Sequence, residues 1–207
     1  MKETSKSITS FFGQLNPILV ILTVVTPFVM ISSFFFPFIT GKAFYFRIIV
    51  ELLLGAYLLH AFFDRSVWPK KSIISIAVGV FMLILGISTI GSVDPLRSFW
   101  SNYERMEGYV LFLHLGVFFL AAGAVMKYHA GWWKWFFRAS LGMSVIVGLD
   151  AFKDFYSDPN SIGYRIFGNL GNSSYLGVYA LISVFICLYF IVRRLNWKVS
   201  HPTEGQW

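Results

Sequence analysis

Long runs of apolar residues, separated by short polar stretches, dominate the chain at 17–39, 44–63, 73–90, 109–126, 136–152 and 175–192. Each run reaches the roughly 17 residues that a helix needs to cross a hydrocarbon core. None alternates apolar and polar residues as a barrel strand does. A backbone inside a bilayer must satisfy its own polar groups, so the pattern predicts six transmembrane helices. The fifth run has the weakest pattern, with Arg138 and Asp150 near its ends. The first run is longer than the roughly 7–15 apolar residues of a signal peptide, and no small-x-small cleavage site follows it, so it reads as an uncleaved helix.

Alternating the loops from side to side sorts the charges. One side collects Lys2, Lys6, Arg65, Lys70, Lys71, Lys127, Lys134, Arg138, Arg193, Arg194 and Lys198, and the other Lys42, Arg47, Arg97, Arg105, Lys153 and Arg165. Cytoplasmic loops carry the lysine and arginine excess, which puts both termini inside and three loops outside. Aromatic residues mark both boundaries, with Tyr128, Trp132, Trp133 and Trp135 inside and Phe99, Trp100 and Tyr103 outside. The expected architecture is a single all-α polytopic membrane domain over 1–207.

Composition agrees. Of 207 residues, 57% are hydrophobic and only 13% charged, about half the charge of a soluble domain, and the mean hydropathy is +0.67. Disorder and a disulfide-stapled secreted fold are excluded by the same values. The net charge of +7 records topology here and does not point to nucleic acid. Cys187 is the only cysteine, so it forms no internal disulfide and no Cys-x-x-Cys site. No internal repeat is visible, which counts against a transporter built from duplicated halves.

The inner loops are short and basic, whereas the outer loops at 91–108 and 153–174 are longer and mixed in charge, so chemistry is expected outside. Arg47 and Glu51 stand four residues apart on one helix face, with Glu51 about 10 Å below the outer end. Two readings stand: the pair neutralises itself, or it lines a polar cavity. Glu107 and His114, seven apart, share a face of the fourth helix. Arg97 and Arg105 each offer a guanidinium fork suited to an oxyanion, or snorkel at headgroup level. Glu104 and Glu107, three apart beside Arg105, form a solvated face and not a glycosidase pair. In the segment 165–174, an arginine and two Gly-Asn pairs (Gly168, Asn169, Gly171, Asn172) precede a helix, the pattern of an oxyanion- or sugar-binding turn. No Walker motif, His-Glu-x-x-His or Gly-x-Ser-x-Gly is present and no metal-ligand spacing occurs, so neither metal nor cofactor is expected.

Three stretches resemble the O-antigen ligase family of bacterial envelope proteins, which transfer or polymerise polyprenyl-linked glycans. Residues 36–51 (FPFITGKAFYFRIIVE) are similar to the first outer loop and second helix of one branch, and 94–108 (DPLRSFWSNYERMEG) to its second outer loop. Residues 165–176 (RIFGNLGNSSYL) resemble its Arg-x-x-Gly-x-x-Gly-Asn-Pro-Asn turn, with Ser173 and Ser174 in place of Pro-Asn.

The resemblance implies a multi-span bundle of the GT-C-like kind in the bacterial inner membrane, active on the periplasmic face. The implied reaction passes a glycan from polyprenyl pyrophosphate to an acceptor hydroxyl without a cofactor. Arg165 would meet the pyrophosphate first, then Arg47, Arg97 and Arg105. Glu51 would orient Arg47, and Glu107 would orient Arg105 or touch sugar hydroxyls. Phe99, Trp100 and Tyr103 would stack on lipid or glycan, and Gly168, Asn169, Gly171 and Asn172 would support the turn. Family members have ten or more helices and a large outer loop bearing the histidine taken as general base. No histidine here fits that role, so the expectation is an N-terminal, donor-binding half with its catalytic base elsewhere. A small transporter or channel using Arg47, Glu51 and His114, or a non-catalytic membrane scaffold, is the alternative.

Overall fold

A computed structural model describes residues 2–69, 71–102, 105–157 and 165–200. Tyr103 and Glu104, named above, lie outside them, as does Lys70. The described residues are helical or irregular, with no strand among them: α1 (Lys2–Leu22), α2 (Thr40–Phe63), α3 (Ile73–Ile90), α4 (Pro95–Trp100), α5 (Tyr109–Tyr128), α6 (Trp132–Ser157) and α7 (Ser173–Ser200). The chain divides into two compact units, Met1–Phe136 and Phe137–Trp207, with the boundary inside α6.

Six helical segments are long and apolar enough to cross a membrane: Lys6–Phe28, Thr40–Phe63, Ile73–Ile90, Tyr109–Tyr128, Trp132–Ser157 and Ser173–Leu195. Five match the expected runs to within a turn or so. The first does not. The run 17–39 is helical only to Leu22, continues as a 3-10 turn over Thr23–Phe28 and then becomes irregular, so this span lies about three turns earlier than its apolar run. The cause is local. Pro27 has no N–H for the ladder, and the hydroxyls of Thr23 and Thr26 donate back to the carbonyls of Val20 and Thr23 at 2.7 and 2.6 Å. Residues 29–39 then fold against the start of α2, where Ile31 packs on Gly41.

In the first unit, α1 and α5 pack on α2, and α3 packs on α5. Small residues make the approach close: Ala56 and Ala61 of α2 and Ala121, Ala122 and Ala124 of α5 are all buried with Leu53 and Met126, the packing that membrane helices use in place of a hydrophobic driving force. On the α3 side, Met82 lies against Gly116 and Tyr109 against Gly86, and the Tyr109 hydroxyl donates to the Met82 carbonyl at 2.9 Å. The second unit is a hairpin of α6 and α7, in which the Phe137 ring meets Tyr189 at 5.7 Å and Gly168 sits on Ala151.

No residue of α3 is buried, although Ile73, Leu83, Ile87 and Ile90 expose 63% or more of their surface. Apart from the side that meets α5, this apolar helix is open to its surroundings, and so large an exposed apolar surface has no stable place in water. The surrounding medium is therefore lipid, and the chain is an all-helical, multi-pass membrane protein.

Candidate functional site

The arginines expected to act together fall into different units. Arg47, Arg97 and Arg105 belong to the first and Arg165 to the second.

Arg47 stands in the second turn of α2 at 6% exposure. A guanidinium at that depth requires acceptors, and the loop after α4 brings one. Nη2 donates to the Met106 carbonyl, and Nη1 lies 3.7 Å from Met106 Sδ. Glu51 and Glu107 are the carboxylates whose charge acts on it. The loop is forced into shape around this contact: Ser101 and Met106 take left-handed φ angles of 67° and 50°, and Gly108 presses so closely on the carbonyls of Ser98 and Phe99 that a Cβ would overlap them. Such backbone strain, of order 1–3 kcal/mol per residue, persists because the buried guanidinium holds the loop down.

Above this anchor α4 presents the second arginine. Asp94 caps α4 by accepting from the Arg97 N–H at 3.0 Å, with Pro95 in the first helical position, where its missing donor costs nothing. A pocket of about 530 Å³ opens there, lined by Asp94, Leu96, Arg97, Trp100, Ser101 and Met106. It combines a guanidinium, an indole and a hydroxyl over an apolar floor, and its Met106 wall is the residue Arg47 grips. Arg97 Nη2 is only loosely engaged, at 3.4 Å from Asn102 Oδ1. Arg105 and Glu107 are exposed beside it.

Glu51 hydrogen bonds to His114, not to Arg47: Oε1 lies 3.1 Å from His114 Nε2, while His114 Nδ1 lies 2.7 Å from the Val110 carbonyl. A carbonyl only accepts, so Nδ1 carries a hydrogen. The Glu51 side chain is 67% exposed and the His114 ring 16%, which leaves the carboxylate end of this hydrogen-bonded pair open. Glu107, expected on the His114 face, is not its partner.

The turn of the second unit is differently made. Gly168 and Gly171 adopt φ of +49° and +70°, the left-handed conformations that glycine permits. Its amides, however, meet acceptors of the same unit. The Asn169 N–H donates to Asp150 Oδ2 at 3.1 Å and the Ser174 N–H to Asn172 Oδ1 at 2.8 Å. Asn172 therefore caps α7 instead of aiming its amide at a ligand, and an acid already stands beside the turn. Arg165 is exposed at its start.

Sequence reasoning passed over a polar cluster at the opposite end of the first unit. Asn16 and His60 are 0% and 2% exposed, with Asn16 Nδ2 3.2 Å from His60 Nδ1. His129 lies across Gly13 from His60, and burial pushes its imidazole below the usual range, favouring the neutral ring. The Tyr128 hydroxyl donates to Asp64 Oδ2 at 3.0 Å, and hydrogen bonds from Ser66 hold the Asp64 carboxyl below the usual carboxylate range. The signal was an asparagine, Asn16, at the very edge of the first apolar run, directly before Pro17. Among the described residues no group of three or more His, Cys, Asp or Glu side chains is placed to hold a metal ion.

No protein-family model, curated protein or solved structure matches the chain.

Proposed function

We propose that this protein is a glycan ligase- or polymerase-like membrane protein that binds a polyprenyl-pyrophosphate-linked glycan at the outer leaflet of a bacterial inner membrane. The observation that carries the reading is the pocket holding Arg97 and Trp100, anchored from below by buried Arg47. A pyrophosphate at the lipid surface needs a cation fork, and a lipid or sugar needs an aromatic face; the pocket offers both. The stretches 36–51 and 94–108 that resemble the O-antigen ligase family are the ones that meet here, and the lysine and arginine bias assigns this end to the outside. In the reaction, the acceptor oxygen attacks the anomeric carbon, the bond to the pyrophosphate breaks with its electron pair, and the acceptor proton passes to a base. Arg97, with Arg47 and Arg105 of the same unit, would stabilise the charge growing on the leaving group.

Saturation binding of undecaprenyl pyrophosphate to the chain in nanodiscs, against undecaprenol of equal length, tests this. The pyrophosphate form should bind at least about tenfold more tightly, and Arg97→Ala should remove most of that difference. Equal binding of the two lipids rejects the proposal. The in-membrane Glu51–His114 pair favours a second reading, a proton-coupled transporter, which predicts proton flux in proteoliposomes that Glu51→Gln abolishes.

A further inference from the structure

We propose that the first unit binds an anionic phospholipid in a groove at its basic end, between α5, the start of α3 and residues 66–69. This site is separate from the Arg97 pocket and does not depend on the transferase reading. The groove has a volume of about 510 Å³ and is lined only by residues of the first unit.

Its long wall is one face of α5. Phe119, Leu120, Gly123 and Lys127 line it at helical spacing, and the run from Phe119 to Lys127 measures about 12 Å at 1.5 Å per residue. The deep half is apolar and open to the bilayer, since Phe119, Leu120 and Ile74 expose 39%, 41% and 62% of their surface. Gly123 keeps it open: nothing lies within 4 Å of where its Cβ would stand.

The shallow half changes character where the spans end. Phe63 closes α2, Ser72 caps α3 and Tyr128 closes α5, so this half sits at headgroup depth. Lys127 and the hydroxyls of Ser66, Ser72 and Ser75 line it. Trp68 stands at the rim, its indole N–H held by the Ala61 carbonyl at 3.0 Å.

Charge selects the headgroup. Lys127 lines the opening, and Arg65 and Lys71 are exposed in the adjoining stretch, whose one acid, Asp64, accepts from the Ser66 N–H at 2.9 Å and the Tyr128 hydroxyl at 3.0 Å. Arg65, Lys71 and Lys127 outnumber this one carboxylate, so this end carries net positive charge. A phosphate ester accepts from ammonium and hydroxyl donors together, and its acyl chain continues along Phe119 and Leu120. A free phosphate would leave the apolar half unused, so the occupant is a lipid.

The test uses the whole chain in detergent micelles, with phosphatidylglycerol and phosphatidylcholine of identical acyl chains as probes and glycerol phosphate as the acyl-free control. Native mass spectrometry reads retained lipid and a thermal melt reads stabilisation. Phosphatidylglycerol should be retained and should raise Tm, phosphatidylcholine should do neither to the same degree, and glycerol phosphate should have no effect. Lys127→Gln should weaken phosphatidylglycerol roughly fivefold while leaving phosphatidylcholine unchanged. Gly123→Leu, which puts a side chain into the groove where no neighbour stands, should abolish the preference without lowering the lipid-free Tm. Equal retention of the two lipids, stabilisation by glycerol phosphate alone, or wild-type retention by Lys127→Gln would each overturn the proposal. The lysine variant alone decides it if the leucine variant fails to fold.

Discussion

The loop at 91–108 and the turn at 165–172 both carry arginine and asparagine, and each contains a glycine that its surroundings require, yet each answers its polar backbone with the opposite charge. In the loop a buried cation, Arg47, grips a backbone carbonyl, which leaves Arg97 at an open pocket. In the turn a carboxylate, Asp150, and the amide oxygen of Asn172 take backbone N–H groups. Where a cation holds the backbone, Arg97 is left to line the pocket beside Asp94. Where a carboxylate holds it, the amides that would attract an anion are already occupied, and only Arg165 remains for one.

The largest effect expected from this contrast is at Gly108. A side chain there meets the Ser98 and Phe99 carbonyls, so Gly108→Val should cost about 3 kcal/mol in detergent unfolding and should remove pyrophosphate-lipid binding with it. An unchanged Tm would show that the loop is not held in the strained form described. Next is Arg47→Met, which keeps the bulk and removes the charged hydrogen bond to Met106. It should destabilise by about 2 kcal/mol and make the loop susceptible to limited proteolysis while α7 stays protected.

Smaller effects distinguish the turn. Asp150→Ala leaves the Asn169 N–H without its acceptor, at a cost of about 1–2 kcal/mol, but it also removes the resident negative charge. If that charge is what keeps anions away, the same variant should bind inorganic pyrophosphate more tightly than wild type; weaker binding would make Asp150 part of an anion site after all. Smallest is Asn172→Ala, the loss of a helix cap, expected at about 1 kcal/mol with no change in anion binding. A parallel loss of anion affinity would restore Asn172 as a ligand.

Much of the fold was legible because bilayer physics acts on long runs of residues. The spans 73–90, 109–126 and 175–192 needed only length and polarity, and α3 begins and ends where its run does. The first span was misplaced because apolarity reports what tolerates lipid, not where the helical ladder breaks. Pro27 and the threonine back-bonds ended the helix inside the apolar run. The sites were less legible. Spacing put Arg47 and Glu51 on one face, but the bond of Glu51 to His114 crosses from α2 to α5, and no one-dimensional period contains it.

The sequence by itself determined that this chain is an all-helical, multi-pass membrane protein with six apolar segments long enough to cross, five of them placed to within a turn or so, and that arginines and asparagines gather in the loops 91–108 and 165–174. Those properties follow from transfer free energies that each residue carries wherever it sits. Only the tertiary structure decided that Arg47 holds Met106, that His114 hydrogen bonds to Glu51, that Asp150 occupies the glycine turn and that Lys127 stands at the mouth of an apolar groove. Hydrogen bonds are short and directional, so which donor finds which acceptor is set by how helices distant in sequence come to lie side by side.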